Sequence, residues 1–151
     1  MKLQIKEITA LETYPIRHPL LRKGQPLESC KLENDEHPSS IHLGTYIDAR
    51  LVAVLSALPN LCPDYNTLKA YQLRAMAVEP KYQRKKIASS MIQYLYNKII
   101  EKGGIELIWL NARVAANKLY IKNGFEPIGA PFSIKPIGMH QRFINLLNHE
   151  S

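Results

Sequence analysis

Gln83, Arg84, Lys85 and Lys86 place three cations behind an amide and run straight into a helical apolar pattern that begins at Ile87. A helix N-terminus leaves backbone N–H groups without intrahelical partners and carries partial positive charge, so it can receive an anion. The first turn here, Ile87-Ala88-Ser89-Ser90, contains no Asp or Glu to occupy those groups. Phosphate binding is one chemistry that fits. A solvated basic loop in front of an ordinary core helix fits the same residues, so the neighbouring elements must decide.

The stretch upstream alternates like a strand. Tyr71, Leu73, Ala75 and Ala77 fall on one face, Gln72, Arg74, Met76 and Val78 on the other, and Glu79-Pro80 stops it. Downstream, Ile87, Met91, Leu95 and Ile99 recur at four-residue steps, widened by Ala88, Ile92 and Ile100, until Gly103-Gly104 ends the helix. Ile105 to Leu110 is a near-continuous apolar run, the mark of a strand covered on both faces. Val114 to Asn123 reads as a short helix with Ala115, Leu119 and Tyr120. It stops at Gly124 in a left-handed cap, with Phe125 packing back. Phe125–Ile128 and His140–Leu146 supply two last strands.

The first half is read in the same way. Leu3–Ile8 is a strand, and Thr9 with Glu12 has the form of a capping box, opening a helix that Pro15 and Pro19 keep short or broken. Tyr14–Pro26 carries Arg17, His18, Arg22 and Lys23 around Ile16, Leu20 and Leu21, an element with one apolar side and one basic side. Glu28–Ser40 is a polar, turn-rich surface loop. Ser40–Tyr46 and Leu51–Leu58 are strands joined hairpin-fashion by Asp48-Ala49-Arg50, and Pro59–Lys69 is a connection.

Residues 1–151 fit a single domain whose 46% hydrophobic and 22% charged residues are those of a globular protein. No apolar run approaches the roughly 20 residues of a membrane span, and the first residues alternate where a signal peptide would be continuously apolar, which points to the cytoplasm. Cys30 and Cys62 are far apart with no metal-site spacing and read as thiols. A formal charge of +7 and a pI near 9.4 attract anions in general: nucleic acids, acidic proteins or phosphorylated cofactors.

The element order is strand, broken helix, three strands, helix, strand, helix, two strands, an α/β arrangement with a mixed sheet. Over most of Ala70 to Ile128 the chain resembles the GNAT superfamily of acyl-CoA-dependent N-acetyltransferases. That family's pyrophosphate loop, Gln/Arg-x-x-Gly-x-Gly/Ala, aligns with Gln83-Arg84-Lys85-Lys86-Ile87-Ala88. Gln83 and Ala88 match, while Lys86 replaces the central glycine and is expected to turn its Cβ aside in an ordinary helical conformation. A second match is Asn111-Ala112-Arg113 with Ala116, Leu119, Tyr120, Lys122, Gly124 and Phe125.

The resemblance implies an α/β (α+β) fold: one mixed, mostly antiparallel sheet of about six to seven strands, flanked by about four helices, with strands four and five splayed. It implies acetyl-CoA as cosubstrate and no metal. Met76, Ala77, Val78, Gln83, Arg84, Lys85, Lys86, Ile87, Ala88, Ser89, Asn111, Asn117 and Tyr120 are its cofactor-binding positions. Tyr120 is the general acid that protonates the departing thiolate; a packed aromatic with a satisfied hydroxyl is the plainer reading. Asn111 either bonds the pantetheine arm or caps the next helix. The acetyl group then passes by direct attack, in a ternary complex, to a primary amine of a small molecule or peptide. A strand-four N–H near Met76 or Val78 polarises the carbonyl.

Glu33, Asp35, Glu36, His37 and His42 are conceivable bases, and none is assigned. Arg17, Arg22 and Arg74 are candidate acceptor ligands, pointing to an amine that bears an acidic group; for Arg74, on a central strand, an internal salt bridge is the competing reading. Two other functions stay open. One is a catalytically inactive CoA-binding or sensing domain. The other is a basic nucleic-acid-binding module using Tyr71, Tyr82, Tyr94 and Tyr96, disfavoured because Tyr94 and Tyr96 lie on different sides of one helix. No membrane partner is expected, and the chain is read as a monomer or homodimer.

Overall fold

A computed structural model describes residues 2–84 and 86–147. Seven strands are ordered β1-β2-β3-β4-β5-β7-β6 in one sheet: β1 Leu3–Ile8, β2 Ile41–Ile47, β3 Arg50–Pro59, β4 Ala70–Val78, β5 Leu107–Arg113, β6 Glu126–Ile134 and β7 Gly138–Leu146. The helices are α1 Ala10–Leu21, α2 Ile87–Lys102 and α3 Asn117–Lys122. In place of a fourth helix the described residues form short 3-10 turns, at Leu27–Cys30, Pro63–Tyr65, Pro80–Tyr82 and Val114–Ala116. The chain divides into two compact units, one drawn from residues up to Pro59 with Leu73–Glu101, the other from Asn60–Gln72 with Lys102 onward.

In the first unit β1 pairs antiparallel with β2, and β2 with β3, around a two-residue turn at Asp48 and Ala49, both with positive φ. Helix α1 opens on the capping box: Thr9 Oγ1 accepts from the Glu12 N–H, and the Glu12 carboxylate accepts from the Thr9 N–H, which lowers its pKa. The helix does not break at Pro15 or Pro19. Each proline removes one intrahelical donor, but Ile16 packs with Val54 and Ala77, with Leu20 and Leu21 beside it, and burial at this face outweighs the missing bonds. Helix α2 buries Ile87, Met91, Ile92, Leu95 and Ile99, each worth about 1.5–3 kcal/mol of apolar burial. Ile100, expected on that stripe, is exposed.

Strand β4 departs from simple alternation. Ala75 has φ 55, and the bonds at the two ends of the β3–β4 ladder show why. The Asn60 N–H bonds the Ala70 carbonyl, and the Glu79 N–H bonds the Val52 carbonyl. Eight steps separate Asn60 from Val52 and nine separate Ala70 from Glu79, so β4 holds one extra residue, a bulge. The side-chain phase therefore changes along the strand.

In the second unit, β5 and β6 each pair antiparallel with β7. The parallel β4–β5 ladder covers only Ala70–Gln72 against Leu107–Trp109, and both strands run on past it, as splayed strands do. Cys62, Ala70, Leu107, Trp109 and Ile144 form a buried cluster. Leu107 to Leu110 are all buried, as the apolar run required. Cys30 and Cys62 are free thiols, both buried.

Candidate active site

In the first unit, β4 leads through the 3-10 turn Pro80–Tyr82 into the loop before α2. The Gln83 side-chain N–H group donates to the Val78 carbonyl at 3.0 Å, tying the loop to the end of the strand and leaving the Gln83 carbonyl oxygen to accept. Arg84 has φ 64 and Lys86 φ 63. The ordinary helical conformation expected for Lys86 is thus corrected: the backbone keeps the left-handed turn suited to glycine and a lysine occupies it, at a cost of about 1–2 kcal/mol. Lys85 lies outside the described residues. Arg84 and Lys86 are exposed cations at the start of a 16-residue helix with no acid in its first turn.

Two expected contacts narrow to backbone. Ile87 is buried, and Ala77 packs against Ile16 and Val54, so neither side chain is turned to a ligand. Met76, Val78, Ala88 and Ser89 are half-buried. A cavity of about 430 Å³ lies beside the turn, lined by Ile16, Pro19, Leu20, the Arg50–Glu79 ion pair, Pro80 and Lys81. None of the expected site residues lines it.

The second unit presents Asn111, Asn117 and Tyr120. The α3 helix ends in a Schellman motif: the Phe125 N–H bonds the Tyr120 carbonyl at 3.0 Å and the Gly124 N–H bonds the Ile121 carbonyl at 3.2 Å, with Gly124 at φ 91. The hydrophobic contact that accompanies this motif is the edge-to-face pair of Tyr120 with Phe125, centroids 6.1 Å apart, and Phe143 packs on Tyr120 at 5.8 Å. The glycine that stops the helix thereby fixes the ring of the candidate acid. Burial raises the Tyr120 pKa well above the ordinary phenol value, and its hydroxyl hydrogen-bonds no other described residue. The satisfied hydroxyl of the plainer reading is absent among the described residues.

Asn117 begins α3 with its Oδ1 buried and without a hydrogen-bond partner, an acceptor available to a ligand donor. Asn111 does not cap a helix, since the turn after β5 and α3 both start without a side-chain cap. Its Oδ1 instead accepts from Arg142 Nε at 3.0 Å, which leaves the Asn111 amide N–H group to donate. Arg142 is itself held by Asp64 and by the faces of Trp109 and Phe132. Sequence reasoning missed Arg142, for no local signal links it to a residue 31 positions away.

The arginines separate. Arg17 is 1% exposed and gives a fork to Asp35, Nη1 to Oδ2 at 2.7 Å and Nη2 to Oδ1 at 3.1 Å, with further bonds to the Cys30 carbonyl and Ser56 Oγ. Its guanidinium is committed to the core, so its place as an acceptor ligand is withdrawn. The same network removes Asp35 and His42 from the possible bases. Ser56 Oγ accepts from Arg17, so its own proton goes to His42 Nδ1, and His42 Nε2–H donates to the Asp35 carbonyl. Arg74, expected to need an internal partner, is exposed and forms no ion pair with any described residue. Arg22 is half-buried, with Nε bonded to the Ser29 carbonyl and Nη1 to the Leu21 carbonyl.

Comparison with known proteins agrees with this architecture. Residues 39–127 match the model of the acetyltransferase (GNAT) domain. An uncharacterised N-acetyltransferase of Bacillus subtilis (strain 168), YitI, is 37% identical over 138 residues, spanning 91% of this chain and 92% of its own. Among solved structures, Escherichia coli ElaA superposes with a TM-score of 0.75 at 13% identity, covering 95% of this chain and 99% of its own. An aminoglycoside 6'-N-acetyltransferase complexed with coenzyme A gives 0.73 at 15%, covering 98% and 99%. The chain belongs to the GNAT family of N-acetyltransferases. No helix among the described residues is long and apolar enough to cross a membrane.

Proposed function

We propose that this chain transfers the acetyl group of acetyl-CoA to a primary amine by direct attack in a ternary complex. The residues present suit such a cosubstrate. A left-handed cationic loop opens onto an acid-free helix start, and Asn117 keeps an orphaned buried acceptor. When bound, acetyl-CoA supplies the acetyl group as an activated thioester. Arg84, Lys86 and the N–H groups of Ile87 to Ser89 hold the pyrophosphate, and the Asn111 amide orients the pantetheine arm.

The observation that carries the reading is Tyr120. Its ring is clamped by Phe125 and Phe143, its hydroxyl is uncommitted, and its raised pKa keeps the proton in place at neutral pH. A neutral amine forms the new amide bond as the thioester bond breaks, the Tyr120 hydroxyl gives its proton to the leaving thiolate, and the proton shed by the attacking nitrogen restores the phenol, directly or through water. In this reading a strand-β4 N–H beyond the Ala75 bulge, at Met76 or Val78, polarises the thioester carbonyl. The test follows free thiol released from acetyl-CoA against a panel of primary amines. Amine-dependent release is expected; release that no amine accelerates would favour the inactive CoA-binding reading.

A further inference from the structure

We infer that the amine acceptor carries a carboxylate, and that Arg74 with Arg22 forms the site that binds it. The inference rests on the acetyl-transfer reading and adds what the acceptor must look like.

Arg74 sits on the central strand β4, four residues past the Ala70–Asn60 bond and just before the bulge at Ala75. Counting inward from that bond sets Arg74 across from Ser56, and residues directly opposite on paired strands share a face. That face already holds the Arg17 guanidinium, because Ser56 Oγ is its acceptor. Arg22, at the C-terminal end of α1, also acts on Arg74. Three arginines thus gather at one patch.

The local acids offset them only in part: Asp35 and Glu33 both favour the Arg74 charge, but neither forms an ion pair with it. Asp35 has both carboxylate oxygens engaged by Arg17, and Glu33 is exposed. Arg74 remains exposed, yet the surrounding protein withdraws enough water to lower its pKa, with Arg22 and then Arg17 adding repulsion. It keeps its charge all the same. All of its donors are free of described protein partners, and Arg22 keeps Nη2. Guanidinium groups that share a patch repel one another and favour a counter-anion, and a planar fork matches a carboxylate through two parallel bonds. Arg17 would have completed such a cluster in the sequence. Its burial leaves the exposed Arg74 and the half-buried Arg22.

The test uses the full chain and matched amines that differ only in the carboxylate: γ-aminobutyrate against butylamine, and lysine against 1,5-diaminopentane. Thiol release should give kcat/KM at least tenfold higher for the acid member of a pair. In Arg74→Gln that ratio should fall about tenfold, through the KM of the acid member. Arg74→Lys should restore part of it, and Arg22→Gln should lower it by a smaller factor. A thermal shift with acetyl-CoA in each variant checks that it folds and binds the cosubstrate. Neutral amines used as well as acidic ones, an unchanged ratio in Arg74→Gln, or no turnover of any carboxylated amine while acetyl-CoA still binds would each overturn the inference. Loss of acetyl-CoA binding by the unaltered chain would overturn the acetyl-transfer reading instead.

Discussion

Two turns in this molecule place a left-handed residue beside a candidate functional group, and they meet the demand differently. After α3 the position is Gly124, at φ 91, where no Cβ exists to strain the backbone and the turn presses Phe125 onto Tyr120. Before α2 the position is Lys86, at φ 63, where the same class of conformation is held by a side chain that disfavours it. The first turn is locally consistent: residue type, hydrogen bonds and packing agree. The second is not, and what it gains is a cation at a helix start with no acid in its first turn. The turn proposed to position a reacting group is matched to its backbone, whereas the turn proposed to bind the cosubstrate carries strain.

The sharpest way to test that contrast is to remove the group the first turn holds. Tyr120→Phe should lower kcat about 100-fold or more, the usual contribution of a positioned acid, with acetyl-CoA binding retained. Unchanged turnover would take Tyr120 out of the chemistry. Gly124→Ala should cost about 1–2 kcal/mol, since the conformation and not crowding is the obstacle: an added Cβ would meet only Asn145 Nδ2 at 3.6 Å. In a chain of this size that is a fall in Tm of roughly 2–8 °C. Lys86→Gly should move the other way, gaining about 0.5–1 kcal/mol once the flexibility of glycine is set against the relieved strain. The same variant should bind acetyl-CoA more weakly if the ammonium contacts phosphate. Equal signs for the two glycine swaps would break the comparison.

Much of this was legible in the chain because it rests on local rules. The capping box at Thr9, the α2 stripe and the Gly124 stop each follow from residues within one or two turns of one another. The family pattern supplied the rest of the fold. What could not be read depends on partners distant in sequence. Arg17 and Arg74 look alike as letters, but Asp35, in a polar loop 18 residues from Arg17, takes one into the core and leaves the other in solvent. A helix cap is one of two readings of Asn111 from the sequence, and Arg142, 31 residues away, takes its oxygen instead. The prolines of α1 imply a short or broken helix because a single helix weighs only its own hydrogen bonds, and the packing of Ile16 on Val54 and Ala77 keeps it unbroken over 12 residues. The β4 bulge left no trace either, since Ala75 carries no residue signal for a positive φ.

The central claim is that acetyl-CoA is the cosubstrate, and thermal unfolding tests it most directly. A ligand that binds only the native state adds about 2.7 kcal/mol at a hundred times its Kd. Acetyl-CoA and CoA should each raise Tm by several degrees, with little effect from a short oligonucleotide. No shift with acetyl-CoA, or a larger one with the oligonucleotide, would contradict the account.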